Sequence, residues 1–243
     1  MTERDRPRRT FAKQYDIHGW DAMQLRLPTL EKLAQKGLIP EPLLLRAGRK
    51  NFYLYTERVN GFNVESFPRR LYYIKFSNEF AVQLAKLCQG FYDNGAYHED
   101  LHEGNVMYDL DRKRPVAVDL DSIVPMRSEE LATYVDDFSE LLTTIFLGYN
   151  YYDVAQTYSY DNSECPDLFK RITDRMEEKL HTEGDYTYSQ FRDEFAAQVV
   201  DYFFVKEGIP NRVDARIIDF ILRSMDPRTS PQSFDEILAL KQI

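Results

Sequence analysis

The first quarter of the chain has the hydrophobic pattern of short strands around one helix. Strands are expected over residues 10–15, 42–45 and 52–59, and a helical stretch between the first two ends near Gly37. The third run is rich in aromatic side chains, ends in a β-branched one, and has turn-forming glycines on both sides. The pattern therefore predicts that residues 1–60 form a small β-rich unit.

Beyond about residue 60, the spacing of apolar residues changes to that of helices. Apolar side chains recur at helical intervals along residues 80–91 and again along residues 134–145, which places each set on one face of a helix. The two stripes are Phe80, Leu84, Leu87, Cys88 and Phe91, and then Tyr134, Phe138, Leu141, Leu142 and Ile145. Further helices are expected at about residues 167–180, 190–205, 212–225 and 233–241. Residues 61–243 are therefore predicted to be mainly helical, and the chain to be an α+β protein whose two units meet near Asn60 and Gly61.

Composition and charge disfavour several classes of protein. Of the 243 residues, 43% are hydrophobic and 29% are charged, which is typical of a globular chain and not of a disordered one. The 40 acidic residues outnumber the 31 basic ones, and a net charge of −9 disfavours a nucleic-acid partner, because phosphate contacts need a basic surface. No apolar run approaches the ~20 residues that span a bilayer, so no membrane insertion is expected.

The chain has two cysteines, Cys88 and Cys165, which are too few for a disulfide scaffold or a four-sulfur zinc site. A reducing, cytoplasmic setting is therefore expected, and this would be the host cytoplasm if the protein is an effector. The arginines that precede Thr10 are interpreted as a solvated tail.

Residues 97–123 contain the side chains with the clearest chemical meaning. Asp100 lies five residues before Asn105, and a short apolar strand follows. A second apolar strand, over residues 116–118, ends in Asp119. An acid and an amide in one loop, followed by a hairpin that ends in a carboxylate, can bring three oxygen ligands to one cleft, as Mg²⁺ with substrate phosphates requires. The pattern indicates phosphoryl transfer, in which positioning and charge neutralisation supply most of the catalysis.

The same residues resemble a known catalytic loop. His98, Asp100, Leu101 and Asn105 match the pattern H-x-D-L-x-x-x-N of the protein-kinase-like superfamily, and Asp119 resembles the metal-binding aspartate of that superfamily. The resemblance implies that Asp100 is the catalytic base, which accepts the proton of the substrate hydroxyl. It also implies that Asn105 and Asp119 hold Mg²⁺ on the phosphates of ATP.

The resemblance extends to further segments of the chain. Residues 11–13 resemble the strand whose lysine, here Lys13, pairs with the α and β phosphates. Residues 54–61 resemble the hinge between the two lobes, and on that basis Glu57 and Val59 offer backbone groups to adenine. In the predicted helix that follows the hairpin, Asp136 or Asp137 resembles the buried aspartate that supports the catalytic loop.

The chain also departs from the pattern of the superfamily. It contains no Gly-x-Gly sequence, and only 12 residues precede Lys13, so the phosphate-covering hairpin is expected to be missing, replaced or donated by a partner chain. In the superfamily, an acid pairs with this lysine. When the helix is aligned on its ending at Gly37 and Pro40, Arg26 lies near the place of that acid. Asp21 and Glu31 are the candidate substitutes, and Glu31 is preferred. Asp121 is interpreted as a supporting or capping acid and not as a metal ligand.

The resemblance implies a bilobal protein-kinase-like fold, with a reduced β-rich N-lobe over residues 1–60 and a mainly helical C-lobe over residues 61–243. It implies an ATP- and Mg²⁺-dependent phosphotransferase, and the closing pattern of residues 226–238 favours Ser or Thr of a protein substrate. Hydroxyls of a small molecule stay open as acceptors, because His102 and the short segment 120–129 are similar to those of sugar, lipopolysaccharide and antibiotic kinases. A pseudokinase that serves as a partner-binding scaffold stays open as well.

Overall fold

Helices and strands are combined in one chain, which confirms the prediction of an α+β protein. The computed structural model describes residues 10–68, 71–75, 77–126, 131–147, 215–224 and 230–240. The helices predicted near residues 167–180 and 190–205 lie outside these ranges. Within the described ranges, no helix is both long enough and apolar enough to cross a membrane.

The elements follow the predicted order closely. The strands are β1 (Thr10–Asp16), β2 (Pro42–Ala47), β3 (Asn51–Glu57), β4 (Gly61–Asn63), β5 (Ala96–His98), β6 (Val106–Asp109), β7 (Arg114–Ala117) and β8 (Ile123–Pro125). The helices are α1 (Trp20–Gln35), α2 (Tyr72–Lys75), α3 (Asn78–Asp93), α4 (Leu131–Leu147), α5 (Ala215–Ser224) and α6 (Asp235–Leu238). The helix predicted over residues 233–241 is a single turn, and the other predicted elements within the described ranges agree with their bounds to within a few residues. The short elements β4, β5, β8 and α2 were not predicted.

The first sheet is antiparallel and has the strand order β1-β3-β2. Its central strand, β3, alternates between buried and half-buried positions, as a strand with one face on a core must. Phe52 on the buried face stacks on Tyr15 of β1, with ring centroids 4.9 Å apart, and meets the edge of Trp20 at 5.7 Å. The sheet thereby fixes β1 and the start of α1 to each other.

The second sheet contains the hairpin that was predicted after the catalytic-loop sequence. Its strand order is β4-β6-β7, and Val106 pairs with Ala117 at the start of the hairpin. Gly61 of β4 lies so close to this hairpin that a Cβ there would overlap the backbone carbonyl of Tyr108. A third sheet has two strands, β5 and β8, in which His98 pairs with Ile123. It lies beside the same end of the hairpin, because the His98 ring contacts the carbonyl of Val118, which follows β7.

A helical core supports the second sheet. Ser77 caps α3 by accepting a hydrogen bond from the Phe80 N–H at 3.1 Å, and the whole predicted stripe of α3 is buried. In α4, the predicted stripe is buried too, and the ring of Phe138 contacts Phe220 of α5 and Phe234 just before α6. These contacts join the C-terminal helices to the helix that follows the hairpin.

A network of charges joins the two larger sheets near the predicted hinge. Arg112, in the turn between β6 and β7, donates to the Glu57 carboxylate at 2.7 Å and to the Asp109 carboxylate at 2.6 Å. Asp109 is 2% exposed and also accepts the backbone N–H groups of Asp111 and Arg112. A buried carboxylate needs such donors, so this network fixes the end of β3 against the hairpin.

Candidate active site

The loop between β5 and β6 holds two of the predicted site residues in direct contact. Asn105 closes a 3₁₀ turn and donates its Nδ2–H to the Asp100 backbone carbonyl at 2.9 Å and to the Asp100 carboxylate at 3.2 Å. These bonds orient the amide, so its Oδ1 is the atom left to accept a donor or a cation. The Asp100 side chain is 64% exposed, which leaves it accessible to a substrate.

His98 holds this loop against the end of β7. Its ring is 3% exposed, Nε2 lies 2.8 Å from the Val118 carbonyl, and Nδ1 accepts the Asp100 N–H at 3.3 Å. An accepting Nδ1 requires a neutral ring with its proton on Nε2. Burial lowers the pKa of His98 although two carboxylates are near, which agrees with a neutral ring. The ring therefore positions Asp100 and carries no charge of its own.

Asp119 follows β7 in an unusual backbone conformation. Its φ of 64° lies in the left-handed region, where a residue other than glycine is strained and needs support from its surroundings. The Val118 N–H donates to the Asn105 carbonyl at 2.8 Å, so the residues before and at the end of the hairpin are adjacent. The Asp119 carboxylate accepts the Ser122 hydroxyl at 3.3 Å and forms an ion pair with Lys13.

Lys13 links the first sheet to this group of residues. It lies in the middle of β1, opposite Leu54, and its Nζ contacts the carboxylates of Asp119 and Asp121, the latter at 2.7 Å. Burial acts to lower the pKa of Lys13, but the two carboxylates outweigh it and raise the pKa above its ordinary value. The structure thus brings Lys13, Asp100, Asn105 and Asp119 to one place through a continuous series of contacts.

Comparison with known proteins adds no relative. No family model and no curated protein matches this chain. The chemistry of the site must therefore be inferred from its donor atoms. In the described ranges, no cluster of three or more His, Cys, Asp and Glu side chains could hold a metal ion. The oxygens of Asn105 and Asp119 nevertheless fit Mg²⁺, which needs only one or two protein carboxylates when substrate phosphates complete its shell.

The prediction that Glu31 pairs with Lys13 is wrong. Glu31 is exposed, and both acids that pair with Lys13 lie after β7 and not in α1. Arg26 is the residue of α1 that reaches the site, where its guanidinium donates to the backbone carbonyl of Asp121. Glu31 lies five residues further along the helix, which turns it about 140° away from Arg26. A residue so displaced points to solvent when Arg26 points to the cleft.

The predicted hinge residues lie at the end of β3. The Glu57 N–H donates to the Glu41 carbonyl at 2.8 Å, and its carboxylate pairs with Arg112. The backbone N–H of Glu57 is therefore already engaged within the fold. Val59 is half-buried just beyond the strand. Their contact with adenine stays a prediction.

His102 and Tyr15 also make contacts within the site. His102 makes a loop contact, since its Nδ1 accepts the Gly104 N–H at 3.1 Å, and its Nε2 lies 3.7 Å from the Asp100 carboxylate. Tyr15 was not predicted, yet its hydroxyl donates to Asp121 at 3.0 Å. The signal was present in the sequence, because Tyr15 is two residues after Lys13 and a strand places such residues on the same face.

Asp137 is the acid of α4 that lies near the loop, whereas Asp136 is exposed. The hydroxyl of Tyr97, next to His98 in β5, donates a hydrogen bond to the Asp137 carboxylate. Burial, with added repulsion from Glu140 and Asp136, raises the pKa of Asp137 to about 6 although the Tyr97 bond opposes it.

This raised pKa predicts a pH dependence of stability. Because the folded protein binds the proton of Asp137 more tightly than the unfolded chain does, stability is greatest below about pH 4 for this group and falls as the pH rises through 6. Asp137→Asn should remove that part of the pH dependence and raise the free energy of unfolding at pH 7.5 by about 1–2 kcal/mol, allowing for partial exposure. Urea unfolding of both proteins at pH 4.5 and 7.5 measures the difference, with Asp93→Asn at an exposed site as the control. An equal pH dependence in wild type and Asp137→Asn would contradict the assignment.

Proposed function

We propose that the protein is an ATP- and Mg²⁺-dependent phosphotransferase with a bilobal protein-kinase-like fold. Its reduced β-rich N-lobe comprises residues 1–60 and its helical C-lobe residues 61–243. The observation that carries the proposal is the series of contacts from Asp100 through Asn105 and Asp119 to Lys13, which joins a base, two oxygen ligands and a phosphate-binding cation. Such a group of residues provides what phosphoryl transfer needs.

Each side chain has a role in this reaction. Asp100 accepts the proton of the acceptor hydroxyl. The hydroxyl oxygen bonds to the γ-phosphorus as the bond between that phosphorus and ADP breaks. Asn105 and Asp119 hold Mg²⁺, which neutralises charge on the transferring phosphate when it is bound. Lys13 contacts the α and β phosphates, and the backbone of Glu57 and Val59 binds adenine. Phosphates would compete with Asp119 for Lys13, which would leave the Asp119 carboxylate free to bind a cation.

The proposed acceptor is Ser or Thr of a protein, with a small-molecule hydroxyl as the alternative. The position of His102 supports the alternative, because its ring lies 3.7 Å from the Asp100 carboxylate and takes up room next to the reacting hydroxyl. A lysate treated with the purified protein and ATP whose γ-phosphate carries heavy oxygen distinguishes the two. Labelled phosphate on Ser or Thr peptides supports the protein kinase, and labelled small metabolites support the alternative.

Removal of the metal tests the reaction class itself. Chelation with EDTA should lower transfer of labelled phosphate by at least about a hundredfold, because the divalent ion neutralises the developing charge. Added Mg²⁺ should restore transfer, whereas added Ca²⁺, which prefers a larger shell, should restore much less. Transfer that persists in EDTA, or none by the wild-type protein under any condition, contradicts the proposal.

A partner-binding pseudokinase is the second candidate, and two observations favour it. The chain has no Gly-x-Gly loop to cover the phosphates, and β1, which carries Lys13, is an edge strand of the described first sheet. A thermal shift with ATP and Mg²⁺ separates the two candidates, because binding without transfer indicates the scaffold. Transfer that occurs only in a complex indicates a partner chain that completes the N-lobe.

A further inference from the structure

Lys13 contacts two carboxylates, and only one of them has a task in the proposed function. Asp119 is assigned to the divalent ion, and an oxygen that binds Mg²⁺ cannot also neutralise the lysine at full strength. Asp121 is the second partner, with its Oδ1 2.7 Å from the lysine Nζ. Its side chain is 33% exposed, so the pair is partly shielded from water and less screened than a surface pair.

The surroundings of Asp121 hold it in place from two directions. Tyr15 donates its hydroxyl to the same carboxylate oxygen at 3.0 Å. Arg26 of α1 donates to the backbone carbonyl of Asp121, within the 3₁₀ turn Leu120–Ser122. One contact fixes the carboxylate and the other fixes the turn, and the two donors come from β1 and α1. The position of Asp121 is thus set by both β1 and α1 of the first unit.

We propose that Asp121 is the positioning residue that orients Lys13 toward the nucleotide phosphates, with Tyr15 and Arg26 holding Asp121 in place. Helix α1 then contributes through the guanidinium of Arg26, which binds the backbone of the turn. The turn supplies the Asp121 carboxylate that pairs with Lys13. The catalytic consequence of this inference rests on the proposed function. The ion pair itself does not.

The catalytic consequence is tested by two substitutions of one residue. Asp121→Asn should lower kcat/KM for ATP by about 10- to 100-fold, with part of the loss appearing as a higher KM for ATP, since displacement of a positioning group by about 1 Å has effects of this size. Asp121→Glu keeps the charge and should recover at least a third of the wild-type value. A merely structural role would reduce the folded fraction and leave the KM for ATP unchanged. Asp93→Asn, at an exposed site of α3, removes the same charge and serves as the matched control.

The ion pair is tested without any activity. A double-mutant cycle compares the urea midpoints of Lys13→Met, Asp121→Asn and the double variant. Coupling between the two changes supports the inference, and it does so even if the wild-type protein transfers no phosphate, in which case the proposed function alone fails. Additive midpoint shifts overturn the inference, as would coupling of Lys13→Met to Glu31→Gln in its place. A KM for ATP unchanged in Asp121→Asn overturns the positioning role.

Discussion

Replacement of Asp100 by asparagine is expected to lower kcat for phosphate transfer by a factor of about 10²–10⁴, the usual contribution of a positioned general base. Asparagine keeps an oxygen that can accept the hydrogen bond from Asn105, and the side chain at this position is 64% exposed. The fold should therefore be unaffected, and the KM for ATP should change little. Steady-state transfer of labelled phosphate with excess acceptor measures the effect.

The neighbouring residue provides the control for this prediction. Glu99 is an exposed carboxylate one position before Asp100, and Glu99→Gln removes the same charge from the same loop. Its kcat should stay within about fivefold of the wild-type value, because exposed charges about 4 Å apart interact by only about 1 kcal/mol in water. Equal losses in Glu99→Gln and Asp100→Asn would show that general loop charge, and not a base at Asp100, is responsible. Wild-type kcat in Asp100→Asn would exclude the base.

The parts of the site that could be predicted from the sequence are those set by local periodicity. The amphipathic stripe of α3 and the two apolar strands of the hairpin fix the direction of the chain over a few residues at a time. Asn105 and the residues just before Asp119 come together because a hairpin that starts after Asn105 must return beside it, whereas Asp100 is held there by side-chain hydrogen bonds from Asn105 and to His98.

The parts that could not be predicted depend on side chains about a hundred residues apart. Lys13 and Asp121 meet only because β1 packs over the turn after β7, and no local pattern fixes which of several acids lies there. For Arg26 and Glu31 the difficulty was the phase of one helix. The resemblance placed Arg26 where the pairing acid would lie, and Arg26 does reach the site, but the need for an acid favoured Glu31, which is exposed.

The largest effect on stability is expected at Phe138. Phe138→Ala should lower the free energy of unfolding by about 3–5 kcal/mol, because the ring is fully buried and its removal leaves a cavity among three elements. Its centroid lies 5.7 Å from that of Phe220 and 5.3 Å from that of Phe234, in edge-to-face geometry. Domains of this kind are typically stable by only about 5–15 kcal/mol, so one such loss is a large share of the total. Urea unfolding followed by circular dichroism measures it.

Phe11 of β1 supplies the same chemical change in a different environment. Its side chain is 57% exposed, and Phe11→Ala should change the free energy of unfolding by about 0.5 kcal/mol or less. If both substitutions have equally small effects, the packing of α5 and α6 on α4 is not what holds the C-terminal part of the chain. A large loss at Phe138 with a small one at Phe11 would mean that the helices after residue 214 stabilise the helix that follows the hairpin. In that case the support of the candidate active site extends to the end of the described chain.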